Sequence, residues 1–407
     1  MKINKVKWSQ TNNVVYLHIN DAKFYFTAPP GYKISETSPH LKELALYHLL
    51  WNMDYFKKKD GVELPSHMHN DTKIPLKGNK IGLSYSNGKD SAAVLACLPE
   101  DETIPIYLER DLSTPSSRNV IQKIMARKKN SVINMNSIPI ARKYNASALK
   151  LMKLAKIKNL KIFKTDFELI RCYVLNENIS FGYHCGFGYA AILILLSEFY
   201  DLGYLTFGTV FDTIYIQGNP KFPIKFLDIG DKSRTSQFQL RCKIYEAYGL
   251  KFFYALGGCS EQVTNIIVNK SKFAKTASSC QMPMIGNNNH CKKCIKCFRN
   301  AKIKKENVEK NKTIKQKLYK FPLRPATSTL YAARKVGYSN PLIKKYSHLN
   351  ISFVTKYYPQ YLEPESDTHK ELVPDRFRDF IKNKLKSFGV PPMNEEDLKN
   401  LHKYLIN

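Results

Sequence analysis

The stretch Lys80–Leu98, KIGLSYSNGKDSAAVLACL, decides how the rest of the chain is read. Ile81-Gly82-Leu83-Ser84-Tyr85 has the apolar pattern of a buried strand, and Ser91 to Leu98 has the composition of a helix. Between them stands Ser86-Asn87-Gly88-Lys89-Asp90-Ser91. A strand that turns directly into a helix brings backbone N–H groups and the positive end of the helix dipole to one point, which makes an anion cradle. Gly88 lets a phosphate approach the backbone, Ser86 and Ser91 offer hydroxyls, and Lys89 adds positive charge. Asp90 has no use in a plain phosphate cradle. It fits either a helix cap or a carboxylate that helps hold Mg²⁺ between phosphates. The spacing is not the G-x4-G-K-[ST] of a Walker A loop.

Working outward, Thr103–Leu108 reads as a second strand, Asn119–Arg127 as a helix and Ser131–Met135 as a third strand. Tyr189–Tyr200 is a strongly apolar helix, followed by Gly203 and the strand Tyr204–Phe207, which ends in Gly208-Thr209-Val210-Phe211-Asp212. Strands that alternate with helices predict a doubly wound parallel sheet, an α/β fold, for residues 78–300. Ligands in such folds bind outside the carboxyl ends of the strands. That rule places Gly208, Thr209 and Asp212 beside the Ser86–Ser91 turn. Helices are also expected over Arg234–Tyr248 and Ser260–Asn269.

Residues 1–76 read as a small α+β unit. Val14–Ile19 and Ala22–Thr27 form a hairpin through Asn20-Asp21, Leu41–Trp51 forms a helix, and a polar linker runs from Lys57 to Lys80. Residues 301–407 read as a mostly helical region. It opens with AKIKKENVEKNKTIKQKLYK, eight lysines against two glutamates. That segment is either a solvated helix or connector, or a strip that binds a polyanion.

Nine cysteines are present. Cys97, Cys172, Cys185, Cys242 and Cys259 are scattered, whereas Cys280, Cys291, Cys294 and Cys297 are spaced x10, x2 and x2. Four thiolates so arranged match a closed, tetrahedral and therefore structural Zn²⁺ site in a reducing compartment, with an iron–sulfur cluster as the competing metal.

The 407 residues carry 64 basic and 34 acidic side chains, a formal charge of +30. Of the basic residues 52 are lysine and 12 arginine, a skew that an AT-rich coding sequence also produces. The balance favours contact with a polyanion, either nucleic acid or an acidic protein. No apolar run reaches the ~20 residues of a membrane span. The opening MKINKVKWSQTNN lacks the apolar core of a secretory signal, so the expectation is a cytoplasmic chain with no membrane partner. His67 and His69 read as loop residues, and His184 and Cys185 as core or loop residues rather than acid–base groups or nucleophiles.

The turn resembles the PP-loop of the N-type ATP pyrophosphatases, S-G-G-x-D-S, with Asn87 in place of the first glycine. The cysteine cluster follows Ser279, and Ser260-Glu261-Gln262-Val263-Thr264 lies upstream. Together these features resemble the 7-cyano-7-deazaguanine synthases (QueC-like enzymes) over residues 78–300. The resemblance implies ATP, Mg²⁺ and Zn²⁺ as cofactors and a small deazapurine substrate. ATP would adenylate the carboxylate of 7-carboxy-7-deazaguanine, and ammonia would convert the adduct to an amide and then a nitrile. It implies that Ser86, Asn87, Gly88, Lys89, Asp90 and Ser91 bind ATP, with Lys89, Asp90 and Ser91 as the catalytic group. Gly208, Thr209 and Asp212 would lie near the nucleotide, and the four clustered cysteines would hold zinc. Two stretches depart from the family. Gly182–Gly186 stands where an R-N pair is usual, and Thr213–Pro220 replaces a Tyr-Pro-Asp-Cys type segment. Relatives with added terminal regions resemble components of bacterial antiphage operons, where an acceptor protein would replace ammonia. A tRNA-modifying PP-loop enzyme of the thiolase or lysidine-synthase type, and a non-catalytic nucleotide-binding scaffold, are the other two classes.

Overall fold

Eight strands form one sheet in the computed structural model: β1 (Val6–Thr11), β2 (Val14–Ile19), β3 (Ala22–Thr27), β4 (Lys80–Ser84), β5 (Thr103–Arg110), β6 (Lys161–Thr165), β7 (Leu202–Phe207) and β8 (Lys251–Phe253). The structure describes residues 3–50, 57–58, 61–62, 74–127, 137–175, 188–211, 216–219, 222–226, 236–277, 294–300, 304–319, 326–364 and 372–406. Their order across the sheet is β1-β2-β3-β6-β5-β4-β7-β8. The five strands from β6 to β8 are parallel, and β1–β3 are antiparallel. β3 meets β6 antiparallel at Phe26 and Thr165. Numbered by themselves, the parallel strands run 3-2-1-4-5. The chain therefore leaves β4 in one direction and returns to its other side through β7, so a crevice opens between β4 and β7 at their carboxyl ends.

Side chains alternate between two cores, as period-2 strands require. Ile81, Leu83, Tyr107 and Phe253 point to one face, where they meet Val94, Met152, Val263 and Ile267. Ile104, Ile106, Leu205 and Phe252 point to the other, where they meet Val120, Ile170, Ile192 and Ile244. Both faces are covered by helices, so the architecture is α/β with three layers. The helices named below are α1 (Pro39–Leu50), α2 (Lys89–Ala96), α3 (Pro115–Ala126), α4 (Ser137–Leu154), α5 (Glu168–Leu175), α6 (Ala191–Leu195), α7 (Ser236–Ala247) and α8 (Glu261–Lys270).

The expected terminal units join this frame. The predicted hairpin forms and, with β1, extends the sheet beyond β6. Asn20 takes the positive φ its turn needs, 54°. In the last region, Val308, Ile314, Leu330, Ile343, Phe377, Ile381 and Leu401 enter the same core cluster as Val94 and Ile267. Phe377 stacks on Phe253 at 5.5 Å and sets its edge to Tyr204 at 5.1 Å, which closes the β7–β8 end of the sheet.

Among the described residues β6 is the strand beside β5; the predicted strand Ser131–Met135 lies outside the described residues. The apolar helix expected over Tyr189–Tyr200 is divided. A 3-10 turn at Gly188–Ala190 leads into α6, and Leu196 separates α6 from the short helix Ser197–Tyr200. All five residues of α6 are buried, which accounts for its uniformly apolar sequence.

Candidate functional site

The Ser86–Ser91 turn leaves the carboxyl end of β4 and enters α2, at the crevice beside β7. Asn87 has φ 57°, the left-handed region that glycine favours and asparagine tolerates. Asn87 thus takes a backbone conformation open to glycine as well as asparagine. Its side chain turns inward and is buried, with Oδ1 accepting from Tyr85 Oη at 3.2 Å and Nδ2 donating to Thr276 O at 3.2 Å.

Gly88 is the N-cap of α2, with extended φ −75° and ψ 160°, and no side chain caps the helix. Asp90 is thus in the first turn and does not act as a cap. Its Oδ1 accepts from Thr264 Oγ1 on α8 at 2.8 Å, and the carboxylate is only half-buried. Ser86 is exposed. Its Oγ accepts from Gly88 N at 3.3 Å and lies 3.1 Å from Ser91 Oγ, which in turn donates to Gly88 O at 3.1 Å. Ser86, Gly88 and Asp90 thus present to solvent a hydroxyl, a bare backbone and a carboxylate, beside the first turn of α2, whose N–H groups find no acceptor within the helix ladder. Lys89 faces the other way. It is buried, and its Nζ donates to Asn265 Oδ1 on α8.

Gly208 ends β7 against this turn. A Cβ there would lie 2.5 Å from Ser91 N and 2.8 Å from Ser91 Cα, so only glycine permits the approach. Thr209 follows, half-buried, with its N–H donating to Phe207 O at 3.0 Å. Gly208 lies against the Ser86–Ser91 turn and Thr209 follows it in sequence, while Asp212 lies outside the described residues.

Residues far away in sequence build the second wall. Ser260 caps α8, its Oγ accepting from Gln262 N at 3.0 Å and Val263 N at 3.3 Å. Glu261 pairs with Arg299 at 3.1 Å, with both side chains about nine-tenths buried. Gln262 Nε2 donates to Arg299 O at 2.7 Å, and Asn265 Nδ2 donates to Asn300 Oδ1. The helix α9 (Ile295–Arg299) therefore reaches Lys89 and Asp90 through α8. The sequence pointed to Ser260 and Glu261, but Asn265, Arg299 and Asn300 carried no local signal.

Cys294 is the N-cap of α9 and its Sγ accepts from Cys297 N at 3.4 Å. Both sulfurs are buried, and a backbone N–H aimed at a cysteine sulfur suits a metal-bound thiolate. The two are neighbours at the start of α9 and are two of the four positions expected to hold a metal. Cys280 and Cys291 lie outside the described residues, and among the described residues no three metal-binding side chains converge. Cys97 and Cys259 are fully buried. Burial raises both thiols, Cys259 to about 12, so neither supplies a thiolate nucleophile near neutral pH. His184 and Cys185 lie outside the described residues, as do His67 and His69.

A cavity of about 170 Å³ lies at the opposite end of the sheet, against Lys77, Asp201, Leu202 and Leu250, where strands begin. We give it no part in the candidate site, because ligands of such sheets bind at the carboxyl ends. Among the described residues no helix is long and apolar enough to cross a membrane.

A family of unknown function (DUF6395) has a model that matches residues 241–405. The match takes in β8, α8 and the Cys294–Asn300 turn but begins beyond the Ser86–Ser91 turn, so it covers one wall of the site. No curated protein and no solved structure matches the chain.

Proposed function

We propose that the chain is an ATP-dependent ligase that cleaves ATP to AMP and pyrophosphate at the Ser86–Ser91 turn and adenylates a carboxylate of the 7-deazaguanine type. The observation that carries this reading is the meeting of three elements at the strand-order reversal: the turn after β4, the N-terminus of α2, and Gly208 pressed against Ser91.

In the proposed reaction a carboxylate oxygen of the substrate attacks the α-phosphorus of ATP, and pyrophosphate leaves with its electron pair. An amine then attacks the carbonyl carbon, and AMP leaves. A carboxylate is a poor electrophile and AMP a good leaving group, so the protein has mainly to position the partners and offset phosphate charge. Ser86, Ser91 and the first-turn N–H groups of α2 would hold the β- and γ-phosphates. Asp90, oriented by Thr264, would hold Mg²⁺, which supplies charge neutralisation between phosphates when bound. Lys89, turned to Asn265, would stiffen the turn from beneath rather than touch phosphate. The clustered cysteines would hold a structural zinc that fixes Arg299 and Asn300 behind α8.

The amine is ammonia or an amine on a partner protein. Incubation with ATP and 7-carboxy-7-deazaguanine, with ammonium or a candidate acceptor, read by mass spectrometry, tests the reading. Conversion of the carboxylate to its amide with ammonium, or a mass gain on the acceptor, that depends on ATP and is lost in Asp90→Ala supports it. The same product with Asp90→Ala refutes it.

A further inference from the structure

The two short helices that follow the Cys294–Asn300 turn, α10 (Lys305–Glu309) and α11 (Lys312–Leu318), bury Val308, Ile314 and Leu318 and leave their other faces in solvent. Between Lys304 and Lys345 the sequence has twelve basic and two acidic residues, a net +10 in 42 positions, against +30 in 407 overall. The local charge density is therefore about three times the chain's average, which a lysine-rich composition spread evenly does not explain.

Lys310, Lys312, Lys315, Lys317 and Lys344 meet no acidic side chain within ion-pair distance among the described residues. Asn340 Nδ2 donates to Leu318 O at 3.3 Å, which brings Lys344 and Lys345, on the helix that Asn340 caps, beside α11. Tyr319 stands at the end of α11 with 55% of its surface exposed. Exposed cations beside an exposed ring are what a strand of nucleic acid meets on proteins that bind it without reading its sequence: ammoniums on phosphates and an aromatic face for a base. Lysine rather than arginine supplies the charge here, which suits point contacts to phosphate and not bidentate readout of bases. An acidic protein would satisfy the cations but would not require the exposed ring.

We propose that the Lys304–Lys345 surface binds single-stranded nucleic acid, with its phosphodiester backbone along the lysines of α11 and the Asn340-capped helix and a base on Tyr319. α11 packs on α9, which supports the wall of the candidate site, so a strand held there lies two helices from Asp90. The proposal is independent of the ATP chemistry, because it is read as binding.

The test uses the full chain without ATP, titrated by fluorescence anisotropy into a labelled 20-nucleotide single-stranded RNA, the same sequence as DNA, polyglutamate, and vesicles rich in phosphatidylserine. Contacts from Lys310, Lys312, Lys315, Lys317, Lys344 and Lys345 predict a slope of log K against log salt of about −4 for a single strand. Gln at Lys312, Lys315 and Lys317 is expected to weaken binding about tenfold or more and to reduce the slope by about 2. Tyr319→Ala is expected to weaken it about fivefold or more. Gln at Lys5, Lys7 and Lys153, equally exposed, is expected to change affinity less than twofold. RNA and DNA arms of unequal affinity identify which nucleic acid is held. Equal weakening by both triple variants, a Tyr319→Ala protein that binds as the parent does, or equal binding to polyglutamate or vesicles overturns the proposal.

Discussion

Replacing Gly208 by alanine tests both the packing of the crevice and its use. The new Cβ would sit 2.5 Å from Ser91 N, 2.8 Å from Ser91 Cα and 2.9 Å from Asp90 C. Non-bonded carbon contacts settle at ~3.5 Å or beyond, so the end of β7 and the first turn of α2 must part by about 1 Å. All three atoms are backbone and none can rotate aside. Overpacking of this kind costs ~1–3 kcal/mol, and each kcal/mol lowers the melting temperature of a domain of this size by ~2–4 °C. A displacement of ~1 Å in a group that positions substrate costs ~100-fold in rate. Calorimetry and an AMP-release assay on Gly208→Ala should therefore give a melting point lower by a few degrees and turnover lower by about two orders of magnitude. A variant that melts and turns over as the parent does would refute the packing. One that melts lower but turns over normally would refute the placing of chemistry at this turn.

Three further outcomes are expected. Asp166 is completely buried at the carboxyl end of β6, and burial raises its carboxyl from 3.8 to about 7, even though Tyr25 N and Ser117 Oγ donate to it. An acid that holds its proton more tightly when folded loses stability as pH rises from its unfolded to its folded value. Stability should therefore fall between pH 4 and 7, and Asp166→Asn should flatten that fall in denaturant titrations; an unchanged slope would contradict the assignment. Arg299→Met leaves the buried Glu261 carboxylate without its guanidinium and should cost ~3–5 kcal/mol, while adding Glu261→Gln should recover most of it; equal stability of the single and double variants would contradict the coupling. Elemental analysis should find one zinc per chain, and Cys294→Ser should release it and loosen the Arg299–Glu261 contact; protein with neither zinc nor iron would remove the metal from the account.

The centre of the fold was legible because its signals are local. The strand, the Asn-Gly turn and the helix start of Lys80–Leu98 are set by neighbours within a few residues, and β4, β5, β7 and the first hairpin appear where the sequence puts them. β6 was not legible. Its sequence KIFKT buries only Phe163 and Thr165 and leaves Ile162 exposed, so it lacks the apolar run of an interior strand. β1 was missed because none of its residues is fully buried, as befits a strand at the sheet's edge. At the site, the turn and Gly208 were legible, but the wall behind them was not. Thr264 is 174 residues from Asp90, and Asn265 is 176 from Lys89. Neither has a local pattern that names its partner, because tertiary packing of α8 on α2 creates the contact. The same holds for the last region, whose Phe377 reads only as an apolar helix position until it stacks on Phe253.

The most direct measurement of the central claim is ³¹P NMR of ATP consumed by the purified chain with Mg²⁺ and 7-carboxy-7-deazaguanine. AMP and pyrophosphate are expected in equal amounts, with no ADP and no consumption by Ser91→Ala or Asp90→Ala protein that melts as the parent does. ADP and inorganic phosphate as the first products, or unchanged consumption by those variants, would contradict it.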